Sequence, residues 1–209
     1  ANIVSPTPVS CFGLSNGSAS VSPSGGTAPY SYMWDNTQTT AVVTNLSFGN
    51  YSVTVTDSKG CSSITSVAIT QPLALTNTVS QTNVSCFGLS NGTALVSPSG
   101  GTSPYTYLWN NTQTTASAAN LSFGNYSVTI TDSKGCTSSA SVAIAQPAAL
   151  TNTVSQTNVA CFGESNGTAS VTASGGTPIA TGDPYTYVWN PAVGTTATVT
   201  GLSFGNYSV

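Results

Sequence analysis

The chain has 209 residues, of which only two lysines and five Asp/Glu are charged, and it contains no Arg and no His. Ordinary soluble domains are about a quarter charged. Two cations exclude nucleic-acid binding, which must neutralise many phosphates, and a polybasic membrane surface; the absent His and Arg exclude triad chemistry and guanidinium clamps. The hydrophobic fraction of 39% argues for a packed core rather than disorder, and no apolar run reaches the roughly 20 residues of a bilayer span.

In chain order, the sequence opens inside a first strand whose fuller copy is Leu75–Ser80. A second strand is expected over Ser18–Ser22, with Ala19 and Val21 on one face, and Ser24-Gly25-Gly26 turns the chain. Tyr30–Trp34 follows and aligns Tyr30, Tyr32 and Trp34 by the two-residue period. After a turn at Asn36–Thr40, a strand runs to Leu46, and Phe48-Gly49-Asn50 turns again. Tyr51–Thr56 carries Tyr51, Val53 and Val55 inward. Asp57-Ser58-Lys59-Gly60 is a hairpin turn with glycine at the left-handed position. A last strand carries Val67 and Ile69 inward. About seven alternating strands predict a two-sheet antiparallel sandwich. The core aromatics are Trp34, Tyr51, Trp109, Tyr126, Trp189 and Tyr207, and Tyr51 is placed as a tyrosine-corner residue. An aromatic sugar platform is the lesser reading of these rings.

The same order recurs. CFGLSNG stands at Cys11–Gly17 and Cys86–Gly92, CFGESNG at Cys161–Gly167, and LSFGNYSV at Leu46–Val53, Leu121–Val128 and Leu202–Val209. The step of 75 residues suits a small domain better than a solenoid coil. Gln71-Pro72 and Gln146-Pro147 read as strand ends followed by short stiff linkers, since proline cannot donate to a sheet ladder. The expectation is an all-β rod of tandem immunoglobulin-like sandwiches: repeat 1 at 1–72, repeat 2 at 73–147 and repeat 3 at 148–209, the last incomplete at its C-terminal end. Both ends read as interruptions of a longer chain. Repeat 3 carries about six extra residues, most of them between Gly176 and Tyr185.

Each copy has a cysteine near its start and another 50 residues later. The expected structural disulfides are Cys11–Cys61 and Cys86–Cys136, with Cys161 left unpaired by truncation. Bridges imply an oxidising, extracellular setting. Zinc is the rival reading, but this spacing without His fits no zinc pattern.

Other sites carry less. Asp57 and Asp132 lie in identical DSKG turns and read as Asx-type turns; calcium would want more carboxylates. Lys59 and Lys134 sit at hairpin tips, where exposure argues against isopeptide bonds. Sequons such as Asn16, Asn50 and Asn125 follow from composition. The pairs Thr54/Thr56 and Thr129/Thr131 lack the closely stepped ladder of an ice-binding face. No catalytic residue, cofactor or metal is expected.

The order CFGxSNGxA, GGTxPYxYxW, LSFGNYSVTxTDSKGC and an apolar strand ending in QP resembles the SprB-type repeats of giant Bacteroidetes cell-surface adhesins, over essentially the whole chain. The resemblance implies secretion, long tandem arrays, a surface filament serving adhesion or gliding motility, and no enzyme. The expected partners are neighbouring repeats, other copies associating laterally through uncharged surfaces and strand edges, or a surface polysaccharide. The alternative function is a glycan- or surface-binding array with its site in loops such as Thr177–Pro184, which includes Asp183.

Overall fold

A computed structural model describes residues 2–178 and 184–209. Repeat 1 forms β1 (Asn2–Thr7), β2 (Gly17–Pro23), β3 (Ser31–Trp34), β4 (Val42–Leu46), β5 (Gly49–Thr56) and β6 (Ser62–Ile69). Repeat 2 forms β7 (Thr76–Thr82), β8 (Gly92–Ser99), β9 (Thr106–Trp109), β10 (Ser117–Leu121), β11 (Gly124–Thr131) and β12 (Thr137–Ile144). Repeat 3 forms β13 (Thr151–Thr157), β14 (Gly167–Ser174) and β15 (Thr198–Leu202).

The strands assemble into small antiparallel sheets. In repeat 1 the orders are β1-β2-β4 and β3-β5-β6, in repeat 2 β7-β8-β10 and β9-β11-β12, and in repeat 3 β13-β14-β15. Repeats 1 and 2 therefore each use six strands rather than about seven, and the turn expected at Asn36–Thr40 closes over the tryptophan.

In repeat 1, the two-residue period turns Ala19, Val21, Trp34, Val43, Leu46, Val53, Val55 and Ile69 to one buried cluster, with Val4, Tyr30, Tyr32, Tyr51 and Val67 packed around it. Its members come from both sheets, which makes the repeat a sandwich. The register places Trp34 opposite Val53 and Gly49 opposite Ile69. Along β2 and β4 the register shifts between Gly17 and Ala19. The extra residue makes a bulge, and Asn45 beside it has a φ of 58°. Asn120 (55°) and Gly201 (71°) stand at the same place in the other repeats; asparagine and glycine tolerate that left-handed conformation.

Trp34, Trp109 and Trp189 are buried, and each indole N–H donates to a carbonyl of the turn that follows: Thr40 at 3.0 Å, Thr115 at 2.9 Å and Thr196 at 2.9 Å. Tyr51 donates its hydroxyl to the Ser47 carbonyl at 3.2 Å, and Tyr207 donates to Ser203 at 3.1 Å. That is the bond a tyrosine corner makes. Tyr126 is half-buried.

The chain divides into two compact units. The first holds residues 1–80, 95–118 and 126–142; the second holds 81–94, 119–125 and 143–209. The first thus contains repeat 1 with one end of repeat 2. The second contains the other end of repeat 2 with repeat 3, whose core is Ala169, Val171, Trp189, Val199 and Leu202.

Candidate functional site

The first unit contains a joint between consecutive repeats. The linker after β6 lies in the Gly100-Gly101 turn of repeat 2, where the Gly101 N–H donates to the Leu73 carbonyl at 2.9 Å. Both glycines have positive φ, and a Cβ on Gly100 would fall on the Ala74 carbonyl oxygen. No other residue fits there. The Tyr105 hydroxyl donates to the Gly100 carbonyl at 2.6 Å.

Asp132 ties this turn to the DSKGC turn. Its Oδ2 accepts the Thr102 N–H at 2.8 Å; its Oδ1 accepts the N–H of Lys134 at 2.8 Å and of Cys136 at 2.9 Å. Ser133 closes the pair by donating its N–H to the Thr102 carbonyl at 2.9 Å. Asp132 is buried. Burial pushes its pKa up, but the N–H groups of Cys136, Thr102, Lys134 and Gly135 outweigh that and hold it below the usual carboxylate value. In repeat 1, Asp57 is held low by the N–H of Thr27, then Cys61, against burial, and then Lys59. The bond from the N–H two residues on is the Asx turn read from the sequence. Both lysines beside these turns are exposed. Among the described residues no three His, Cys, Asp or Glu converge as a metal site would need.

The disulfide pairing differs from expectation. Cys11 is bonded to Cys136, with Cα atoms 5.7 Å apart and a separation of 125 in sequence, and Cys61, Cys86 and Cys161 are free and exposed. The expected Cys11–Cys61 and Cys86–Cys136 bridges are therefore corrected. The reason is the direction of β6. Cys61 precedes this strand, whereas Cys11 lies near its far end, where the Val9 N–H donates to the Thr70 carbonyl and the Gly13 N–H donates to the Gln71 side chain, both at 3.0 Å. Eight extended residues separate the two ends by roughly 26 Å, far beyond the reach of a disulfide. At the joint, by contrast, the Cys136 Sγ lies 3.4 Å from the Ser10 carbonyl.

The second unit contains the corresponding joint. The Gly176 N–H donates to the Ala148 carbonyl at 2.8 Å, a Cβ on Gly175 would fall on the Ala149 carbonyl oxygen, and Tyr185 donates to the Gly175 carbonyl at 2.8 Å. Thr177 donates its hydroxyl to the Ser85 carbonyl at 3.1 Å, next to Cys86. The binding loop expected at Thr177–Pro184 has its middle, Ile179–Asp183, outside the described residues.

Two features escaped the sequence reading. Phe12, Phe48, Phe87, Phe123, Phe162 and Phe204 are all exposed, although aromatic residues in these segments suggest core. The second is a groove in repeat 3 lined by Val154, Gly167, Trp189, Leu202 and Tyr207, among others. In repeats 1 and 2 the matching glycines, Gly17 and Gly92, sit under Ile69 and Ile144, while among the described residues the atoms nearest a Cβ on Gly167 belong to Leu202 and Thr157.

A family model described as the SprB repeat matches residues 3–39, 78–114 and 153–194, together more than half of the chain. No curated protein matches it. Among solved structures, the amphioxus IgVJ-C2 molecule is similar at 16% identity, covering 68% of this chain and 95% of its own, with a TM-score of 0.29. So low a score carries no argument, and the all-β assignment rests on the strands themselves.

Proposed function

Since the chain belongs to the SprB repeat family, we propose that it is a structural segment of a long secreted cell-surface adhesin or extracellular filament. It gives reach between cell and substratum and serves adhesion, with gliding motility as its setting. Repeats 1–72, 73–147 and 148–209 act as its successive modules. The carrying observation is the joint, built with the same glycines and the same backbone bond at Leu73/Gly101 and at Ala148/Gly176. A joint in which the linker backbone is hydrogen-bonded into the next repeat transmits load, whereas a loose linker would only tether. The disulfide suits an oxidising location outside the cytoplasm, and the shortage of ionisable side chains suits a scaffold better than a catalyst.

Pulling single chains by their ends tests this. Under non-reducing conditions the Cys11–Cys136 bridge hides 125 residues of contour, so reduction should lengthen the fully stretched chain by roughly 430 Å. Discrete unfolding events are expected in both states. A chain that extends without resistance, yet binds defined glycans on an array, would make the segment a binding module instead.

A further inference from the structure

The two joints correspond residue by residue at the 75-residue step: Leu73 with Ala148, Gly100-Gly101 with Gly175-Gly176, Thr102 with Thr177, and Ser10 with Ser85. At the first joint, the Ser10 carbonyl meets the sulfur of Cys136. At the second, the Ser85 carbonyl already holds the Thr177 hydroxyl. Thr177 corresponds to the threonine from which the Asp132–Cys136 turn hangs in repeat 2. Cys86 is exposed and unpaired beside it. LSFGNYSV ends at Val128 and at Val209, and Cys136 follows Val128 by eight residues. Were repeat 3 continued in the register of repeat 2, its second cysteine would fall eight residues after Val209.

We propose that the cysteines of the array form a ladder in which the first cysteine of each repeat bonds the second cysteine of the repeat that follows. Cys11–Cys136 is one rung. Cys86 is placed to bond the second cysteine of a completed repeat 3. Cys161 takes that of any repeat following the third, and Cys61 takes the first cysteine of any repeat preceding the first. To form a rung, two thiols lose two protons and two electrons to a disulfide oxidant, which is reduced to two thiols. Successive loops overlap, since Cys86 lies inside the Cys11–Cys136 loop. A single backbone cut within the ladder therefore leaves the array covalently continuous. Along one side, the covalent path runs from Cys136 to Cys161 through only 25 residues before it reaches the next rung. Whatever surface the segment grips, the ladder gives it tolerance to proteolysis and a short load path.

The chain's two lysines make the test sharp. Folded, oxidised protein is alkylated, denatured and cut by a lysine-specific protease into residues 1–59, 60–134 and 135–209. The full chain should give 1–59 disulfide-linked to 135–209, with 60–134 released alone. Bridges within repeats would instead join all three. The chain is then extended after Val209 by a second copy of residues 129–150, folded in a glutathione disulfide buffer and cut in the same way. The expected digest has 60–134 linked to the C-terminal fragment, which carries the new cysteine, and the first rung linking 1–59 to the fragment beginning at residue 135 shows that the protein folded. Linkage of the C-terminal fragment to the one containing Cys161, or its release unlinked, overturns the ladder. In the Cys86→Ser version of the extended chain the C-terminal fragment should be released alone; its transfer to Cys161 would show that repeats can bridge internally and would also overturn the proposal. Loss of the first rung from folded, full-length protein would do the same.

Discussion

Gly17 and Ile69 give the most direct test of the sandwich core. Ile69 ends β6 and is buried, and a Cβ added to Gly17 would lie 2.7 Å from its Cγ2 and 2.9 Å from the Leu46 carbonyl oxygen. Gly17→Ala forces β2 away from both. Overpacking of this kind costs about 1–3 kcal/mol. Ile69→Ala empties the site and should cost about 2–5 kcal/mol, while Ile69→Val keeps Cγ2 and should cost about 0.5–1.5 kcal/mol. In the double variant Gly17→Ala/Ile69→Ala the new methyl group occupies part of the void. The two costs should then fall short of additivity by about 1 kcal/mol or more. The deficit stays incomplete because the Leu46 carbonyl still opposes the methyl group. Amide exchange read by mass spectrometry on peptides covering β2, β4 and β6 confines the measurement to repeat 1. Strict additivity, or unchanged protection in Gly17→Ala, would refute the packing of β6 across β2.

Three further outcomes are expected. Asp57 and Asp132 have folded pKa values below their ordinary one, so their stabilisation is present above the ordinary value near 3.9 and is lost as pH falls through the folded value; the protection of the amides of Thr27, Cys61, Thr102 and Cys136, taken relative to their intrinsic exchange rates at each pH, should fall in acid, and Asp57→Asn with Asp132→Asn should remove that fall. A peptide with the sequence of Thr137–Ala145 should enter the repeat 3 groove as a last strand and raise the melting temperature, while the same peptide with Asp in place of its isoleucine should leave it unchanged. Tyr105→Phe removes the bond to the Gly100 carbonyl and should lower stability by about 0.5–1.5 kcal/mol in urea unfolding, with no shift if that bond is unimportant to the joint.

Much of one repeat was legible because strand physics is local. Alternation with period two marked Ala19, Val21, Val53, Val55 and Ile69 as inward, and all are buried. The DSKG turn and its Gly60, with a φ of 83°, follow from the needs of a tight reversal. The spacing of Tyr51 within LSFGNYS announced its bond to Ser47. The Ser-Gly-Gly turn was also visible, but its use was not: its glycines accommodate a linker that arrives from the preceding repeat, and nothing within the turn's own sequence reports that approach. The exposed phenylalanines were missed for a related reason, since composition measures hydrophobicity and not the end of the sandwich on which a loop emerges.

The sequence by itself determined the repeat, the inward faces of the strands and the turns, because each depends on residues a few positions apart. The partner of a cysteine depends on something else. Cys11 and Cys61 lie 50 residues apart in sequence but at opposite ends of β6, whereas Cys11 and Cys136 are 125 residues apart and their Cα atoms 5.7 Å apart. A disulfide answers only to distance and direction in space, and only the tertiary structure brings the end of one repeat against the start of the next.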